Sequence, residues 1–269
     1  MPQNASLHRL AASPLRGALE FLKYILFRSG ILSVPIQLLS LFVGGSSLDD
    51  DTSRFIGDSS PKFTEKGNDI TVQKARVGLP DIEIMSIATS AIDDLEEHKR
   101  SFAKIGIFTL LTCLLQPKSR GIVRLASSNS HDRPRVDLSL LHDPANFAMA
   151  RKAVRLTLRL DDAIKARGFS LLREIAILVF EQESEGLNDF IRHRTRTTYH
   201  YSSTCRMASE FDARTSKVVD DTLRVHELSN LRVYDASVFS QIIASHLQAP
   251  VAMVAKKCAS MIQATRGKE

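Results

Sequence analysis

Apolar residues recur at the three- and four-residue spacing of an amphipathic helix in several parts of the chain. A proline stands at the start of the first of these parts, and it suits a first helical turn because its missing N–H would have no acceptor there. A later, more charged segment keeps the same period and carries its charge outward. The pattern predicts helices at residues 14–27, about 145–166, 185–196 and about 250–264.

Short apolar runs bounded by Gly and Pro predict strands. The run Ile105–Leu115 is almost continuously apolar and ends before Pro117, so we expect a strand that is buried on both faces. Its expected partner is Ile122–Leu125, across a turn that contains Gly121. Further strands are predicted at about 82–87, 218–225 and 231–235.

The apolar stretch 18–43 contains Glu20, Lys23 and Arg28, and such charges at mid-membrane depth cost roughly 3 kcal/mol each. A buried helix followed by a second apolar segment is therefore the better interpretation than a membrane span. Residues 48–74 are rich in Asp, Ser and Gly and predict a flexible surface loop. The first 16 residues lack the compact apolar region of a signal peptide, which leaves the localisation open.

Composition places few limits on this picture. The 269 residues, 43% of them apolar, are enough for one large domain or two small ones. The net charge of +6 favours acidic partners in general. Its local clusters, such as residues 192–196, are short and have one aromatic neighbour, so a solvated basic face is favoured over a nucleic-acid groove. Three widely spaced cysteines argue against a disulfide framework and a structural zinc site.

Two histidines stand at the edges of extended or turn segments that lie far apart in the chain. They are His200, between two tyrosines, and His246, which precedes a predicted helix. If the fold brings them together, they form a two-imidazole site. Cys205 is close to His200 in sequence, but an extended segment separates such side chains, which disfavours a Cys–His nucleophile pair. The other histidines, including His226, are interpreted as surface or capping residues.

Four segments, taken in their order along the chain, add more specific information. They read LQPKSRG (115–121), YHYSSTCRM (199–207), LRVYDASV (231–238) and SHLQAP (245–250). Together they resemble the C-terminal part of the glucose-methanol-choline (GMC) flavoprotein oxidoreductases. The resemblance covers about residues 105–265, and its strength lies in the order of the four segments.

The resemblance implies a partial GMC fold of the α/β class, leaning toward α+β. An antiparallel substrate-domain sheet with helices would accompany the C-terminal piece of the FAD-binding domain. Residues 1–104 are then expected to form a partial substrate-side or cap region, with its flexible loop at about 48–74. Residues 105–269 are expected to form the C-terminal catalytic region.

The same resemblance implies the site residues and their chemistry. His200 falls at the position of the catalytic histidine, and His246 at that of the second active-site residue. Oxidising an alcohol to a carbonyl requires removal of a hydroxyl proton and transfer of hydride to FAD. Imidazole, with an ordinary pKa of about 6.5, is a suitable base near neutral pH. Cofactor contacts are expected from two dipeptides, Asp235-Ala236 and Leu247-Gln248.

The chain also departs from the family pattern. None of its 12 glycines forms the G-x-G-x-x-G turn that holds the FAD pyrophosphate. We therefore expect a C-terminal portion that works with a missing N-terminal half on a small alcohol, primary, aryl or an intermediate of secondary metabolism. The alternative is an inactive fragment or interaction module. Glycine is usual in the family at the positions of Ser203 and Ala208, and proline at that of Ser240.

Overall fold

The computed structural model describes residues 13–33, 37–56, 78–89, 91, 96, 107–168, 184–209, 211 and 217–266. Most of the predicted loop at 48–74 lies outside these residues, and so does all but Glu96 of the charged segment 93–104, for which the sequence favours a short helix or an excursion of the chain. The four helices predicted from the periodicity are confirmed. They are α1 (Pro14–Phe27), α2 (Pro144–Ala166), α3 (Ser184–Arg194) and α4 (Gln248–Arg266).

A side-chain cap sets the start of helix α1, and a change of backbone conformation sets its end. The Ser13 hydroxyl caps the first turn by accepting the N–H of Arg16, and Arg28 ends the helix in the left-handed conformation, at φ 48°. The prediction that this helix is buried is wrong. None of its residues is buried, and Leu15 and Phe27 are 72% and 73% exposed. Periodicity predicts the helix, whereas burial needs a second surface, which no part of the described chain supplies.

A three-stranded antiparallel sheet has the order β1–β2–β3, formed by Gln37–Val43, Ile82–Ile87 and Thr109–Leu114. The expected pairing of the 105–115 run with Ile122–Leu125 is wrong, because β3 pairs with β2. The first four residues of β2 are buried, so this distant partner offers more apolar surface than the exposed strand that follows in sequence. Strand β3 itself is mostly half-buried, not buried on both faces as expected.

Helix α2 and the sheet share one apolar core. The helix also holds the loop that follows β1, because the ammonium of Lys152 donates to the carbonyls of Gly45 and Leu48 at 3.1 and 3.0 Å. The Gly45 carbonyl also accepts the N–H of Leu48 at 3.2 Å, so Lys152 adds a bond from α2 to a turn that is already closed. The buried core residues are Val43, Leu48, Ile82, Ile84, Ala153 and Leu156.

The residues that carry the predicted site have little regular structure apart from α4. A ribbon joins β4 (Ile122–Arg124) to β5 (Arg135–Asp137). The strands predicted at 218–225 and 231–235 do not form, and isolated bridges such as Arg224 with Arg232 replace them. Left-handed φ angles at Leu223 and Glu227, 66° and 65°, turn the chain before a ladder can extend.

These turns and one face of α4 meet in a second apolar core, which we call the site core. Val219 and Val238 are completely buried there, and Leu247 anchors the start of α4. Val251, Val254 and Ile262 of the helix pack against it. The buried members are Val219, Leu223, Val238, Phe239, Leu247 and Cys258.

Backbone contacts divide the chain into two compact units. One contains residues 1–114 and 147–193, and the other contains residues 115–146 and 194–269. The functional division predicted at residue 105 stays a prediction. The combination of helices with small antiparallel sheets agrees with the predicted fold class. None of the helices in the described part of the chain has the length and hydropathy needed to cross a bilayer.

Candidate active site

The fold brings His200 and His246 together. Nδ1 of His246 lies 3.2 Å from Nε2 of His200, and the rings meet edge to face with centroids 4.8 Å apart. His200 is half-buried and His246 is exposed. Two imidazole nitrogens in hydrogen-bond contact need one N–H and one lone pair, so one ring donates and the other accepts. The pair therefore offers a proton acceptor and a hydrogen-bond donor in one place.

The chain that follows His200 is tied to a single short turn, the 3₁₀ segment Ala236–Val238. Alternate residues of an extended segment direct their N–H groups to the same side, so every second residue reaches this turn. The N–H groups of Ser203, Cys205 and Met207 donate to the carbonyls of Ala236, Ser237 and Val238 at 3.3, 2.9 and 2.8 Å. These bonds connect the position of His200 to the site core.

His246 is fixed from the other direction, by the start of a helix. The next residue, Leu247, is 5% exposed and belongs to the site core. Its carbonyl accepts the N–H of Val251 at 3.0 Å, and α4 begins at Gln248. The buried Leu247 side chain and this helical hydrogen bond fix the backbone next to His246. The position from which the His246 ring extends is therefore fixed as well.

Asp235 and Ala236, predicted to contact the cofactor, lie at the turn that holds the His200 segment. The Asp235 carboxylate caps this turn by accepting the N–H of Ser237 at 2.8 Å and the hydroxyl of the same residue. The Ala236 carbonyl accepts from Ser203. Asp235 is exposed and Ala236 is half-buried. Both contacts hold the turn, and their role toward a cofactor stays a prediction.

Leu247 and Gln248, the other predicted cofactor residues, differ from each other in what they can offer. The Leu247 side chain packs in the site core, so only its backbone remains for a ligand. Gln248 and Ala249 are exposed in the first turn of α4, where the helix supplies no acceptor for their N–H groups. This end of the helix also carries the positive end of its dipole.

Ser203 occupies a backbone conformation that favours glycine, with φ at 68°. The sequence singled out this position because glycine is usual there in the resembled family. A non-glycine residue in the left-handed region is strained, and it keeps this conformation only where its surroundings hold it. Here the hydrogen bond from its N–H to the Ala236 carbonyl does so. Ala208, the second position at which glycine is usual in the resembled family, does not have a positive φ.

The segment 115–121 forms a braced loop in the same unit. The buried Asn146 amide donates to the Ser119 hydroxyl at 2.7 Å and accepts the N–H of Lys118 at 2.8 Å. A Cβ on Gly121 would lie 2.2 Å from the carbonyl oxygen of Asp137. The contacts explain why this loop uses small and polar residues, and they assign it a structural role.

One residue near the site was missed by the sequence interpretation. His226, taken as a surface or capping residue, is half-buried, and its Nε2 lies 3.1 Å from the carbonyl oxygen of Ala208. Ala208 follows the segment that is tied to the 236–238 turn. The only signal in the sequence was an Asp220 six positions earlier, and such a spacing is too common to identify a contact.

Asp220 organises the turn that leads to His226. Its carboxylate accepts the N–H groups of Thr222 and Arg224 at 2.8 and 2.9 Å, and the Thr222 hydroxyl at 2.8 Å. Burial opposes the Asp220 charge, but these hydrogen bonds and the nearby His226 outweigh it and hold the pKa of Asp220 below its ordinary value. The turn therefore depends on an ionised carboxylate.

Comparison with known proteins assigns this arrangement to a family. A family model described as GMC oxidoreductase matches residues 117–255, more than half of the chain. The chain belongs to the GMC oxidoreductase family. All four segments that carry the resemblance lie within or at the edge of the matched region.

Relatives and solved structures agree with this assignment. An alcohol dehydrogenase (acceptor) of Pseudomonas putida is 34% identical over 169 residues, 62% of this chain and 30% of the relative. An oxygen-dependent choline dehydrogenase of Cronobacter sakazakii is 36% identical over 152 residues, 55% of this chain and 26% of the relative. The structure of an Aspergillus oryzae formate oxidase variant, which addresses the effect of a mutation on FAD modification, has a TM-score of 0.71 at 22% identity, covering 95% of this chain and 43% of its own.

The chain thus spans less than a third of the length of either curated relative. The match establishes the family and, through the formate oxidase, the fold. Activity, substrate and partners of a whole protein go beyond it.

Proposed function

We propose that this GMC oxidoreductase chain supplies the two-histidine part of an FAD-dependent active site that oxidises CH–OH donors to carbonyl compounds. The 3.2 Å contact between His246 Nδ1 and His200 Nε2 carries the proposal. The alcohol and choline dehydrogenases among the relatives support the class of donor. A primary or aryl alcohol, or an intermediate of secondary metabolism, is the proposed substrate range.

The pair has the two functions that a substrate hydroxyl requires. The lone pair that accepts the inter-ring hydrogen bond is a base for the O–H proton, and the N–H that donates it is a donor for the oxygen as alkoxide character develops. A bound hydroxyl would replace the contact between the rings and use both groups at once. We assign the base to His200, which is half-buried, and the oxygen-positioning donor to the exposed His246.

The residues present fit one side of an FAD site. Gln248 and Ala249 are exposed in the first turn of α4, and their N–H groups and the helix dipole suit an electron-rich partner. The Asp235-Ala236 turn is hydrogen-bonded to the segment that carries His200. When bound, FAD supplies the hydride acceptor. In this proposal the chain holds the substrate oxygen and its proton at the two imidazoles.

A pyrophosphate cradle is the part of the site that this sequence lacks, since no G-x-G-x-x-G turn occurs in it. We therefore propose an N-terminal, flavin-binding half as the partner of this chain. The fraction of each relative that the chain leaves unmatched supports this proposal.

A chimera tests the proposal. Residues 117–255 of this chain replace the matched segment of the Pseudomonas putida alcohol dehydrogenase. We expect the chimera to oxidise alcohols in the presence of an artificial electron acceptor, and His200→Ala to lower kcat/KM about 10²–10⁴-fold because a general base is lost. His131→Ala, at an exposed histidine, is the matched control and should leave the rate unchanged. An active chimera that tolerates alanine at both His200 and His246 would refute the site.

The chain matches less than a third of either curated relative, and this favours one alternative, an inactive fragment that serves as an interaction module. The visible absorption spectrum of the purified chain separates the two. Flavin bands after incubation with FAD support the enzyme, whereas their absence at saturating FAD refutes flavin binding by this chain alone. Recovery of the bands when a flavin-binding half is added supports the proposed partner.

A further inference from the structure

The carbonyl of Ala208 is bonded by a side chain at a place where backbone pairing stops. Ala208 donates its N–H to the carbonyl of Val219 at 3.1 Å, and the Arg206 carbonyl accepts the N–H of Val218 at 2.9 Å. A parallel ladder of this kind would next supply the Ala208 carbonyl with a backbone N–H. Instead the donor is the His226 ring, at 3.1 Å.

The chain geometry explains the substitution of a ring for a backbone donor. After Asp220 the chain turns away from the ladder: the Leu223 N–H donates to the Asp220 carbonyl at 3.0 Å, and the Asp220 N–H donates to the Arg224 carbonyl at 2.9 Å. The turn returns the chain to Val218, whose carbonyl accepts the N–H of His226 at 3.0 Å. The backbone of His226 is therefore fixed beside the ladder. From there its ring reaches the Ala208 carbonyl, for which the ladder supplies no backbone donor.

The donor assignment follows from the acceptor. A carbonyl oxygen cannot donate, so His226 Nε2 must carry the proton in this contact. His226 is also close enough to Asp220 to contribute to the lowered pKa of that carboxylate. The His226 ring thus bonds the end of the segment 203–208, which follows His200 in the chain.

We propose that His226 is a positioning residue for the His200–His246 pair. Ser203, Cys205 and Met207 fix one edge of the segment through the 236–238 turn, while the bonds at Arg206 and Ala208 fix the other. His226 closes the last of these bonds. Without it the Ala208 carbonyl at the C-terminal end of the segment loses its bond, so this end is held less firmly and the distance of the His200 ring from His246 is less tightly fixed.

This inference rests on the proposed function for its catalytic meaning, but its test needs neither flavin nor turnover. Three variants of the full chain separate the donor from the bulk of the ring. His226→Gln keeps an N–H donor at similar reach, His226→Leu keeps the size without the donor, and His226→Asn keeps polarity but is too short to reach Ala208. His131→Leu, at an exposed histidine in the same unit, is the control.

The readout is the ring N–H proton shared by His200 and His246, followed by nuclear magnetic resonance in chain labelled with ¹⁵N-histidine, at a temperature where each variant is folded. We expect exchange of this proton with water to become about five- to tenfold faster in His226→Leu and His226→Asn, the ratio that corresponds to one lost hydrogen bond. His226→Gln and His131→Leu should retain the original rate.

Two results would overturn the proposal. One is an unchanged shared proton in the folded Leu and Asn variants, which would show that the His226 contact stabilises the turn only. The other is failure of both donor-free variants to fold while His226→Gln folds, which would make the role structural. Loss of activity in the chimera with the shared proton intact would count against the proposed function and leave this inference standing.

Discussion

Helix α1 has 14 residues of regular structure and no buried side chain, whereas the segment behind His200 has almost no regular structure and is fixed at nearly every residue. The backbone hydrogen bonds of the helix join residues that are close in sequence. The segment at 203–208 finds its hydrogen-bond partners in two other parts of the chain, at 218–219 and at 236–238. In this molecule, regular secondary structure and a position fixed by contacts with distant residues are therefore separate properties.

The contrast has a physical origin. A helix satisfies its polar backbone locally, so an apolar period is enough to predict it. An active-site segment must hold its side chains at set distances, and that requires partners distant in sequence and a buried core beneath them. Three matched pairs of substitutions measure how large the difference is, with one member on α1 or at its end and the other in the 203–208 segment or in the site core and turns around it.

The largest effect is expected from removing a leucine. Leu247→Ala deletes a side chain that is 5% exposed in the site core and should lower the free energy of unfolding by about 2–5 kcal/mol. Leu22→Ala on α1, where the side chain is 51% exposed, should change it by less than about 0.5 kcal/mol. Urea unfolding followed by circular dichroism measures both. Equal losses would mean that α1 is covered in solution.

A carboxylate provides the second pair. Asp220→Ala leaves the N–H groups of Thr222 and Arg224 without their acceptor and should lower the free energy of unfolding by about 1–3 kcal/mol. Glu20 on α1 bonds Lys23 and the N–H of Ile31, and these bonds lower its pKa, but Glu20 is only half-buried and lies on a helix that has no buried residue. Glu20→Ala should have little effect, since water replaces the lost partners. The same urea titration tests it, and a larger loss for Glu20 would contradict this ranking.

The Asp220 pair also has a pH dependence. Because the pKa of Asp220 is lower in the folded chain than its ordinary value, its contribution to stability is present above about pH 4 and is lost as the pH falls through the folded value. Asp220→Asn keeps an oxygen acceptor for the turn but cannot titrate. We expect the stability of the variant to fall less than that of the natural chain between about pH 5 and pH 3. Parallel curves for the two proteins would show that Asp220 does not contribute to acid unfolding.

The smallest effect is expected at two residues with left-handed φ angles. Ser203→Gly and Arg28→Gly each relieve a strained backbone, at φ 68° and 48°, and should raise the free energy of unfolding by about 0.5–1 kcal/mol. Only Ser203→Gly is expected to alter the shared proton of His200 and His246, because Arg28 ends α1. Thermal unfolding measures the first effect and magnetic resonance the second. A loss of stability at Ser203 would show that its side chain holds the turn.

The sequence predicted the helices well and the pairing of strands poorly. Residues 14–27 and 250–264 are predictable because a helix depends on neighbours three and four positions away. The partner of β3 was wrongly taken as Ile122–Leu125, since local order favours a hairpin while the buried surface of β2 favours a distant strand. The strands expected at 218–225 and 231–235 failed for a related reason, because positive φ at Leu223 and Glu227 is not visible in their apolar pattern.

The sequence by itself determined the family and singled out His200 and His246 as candidates, because the four segments occur in a fixed order with their characteristic residues. Only the tertiary structure decided that nitrogens of His200 and His246 lie 3.2 Å apart, and that His226 bonds the Ala208 carbonyl at the end of the segment 203–208. Those distances depend on the site core and on hydrogen bonds between segments many residues apart. Periodicity and motif order describe neighbours along the chain, and they contain no measure of such separations.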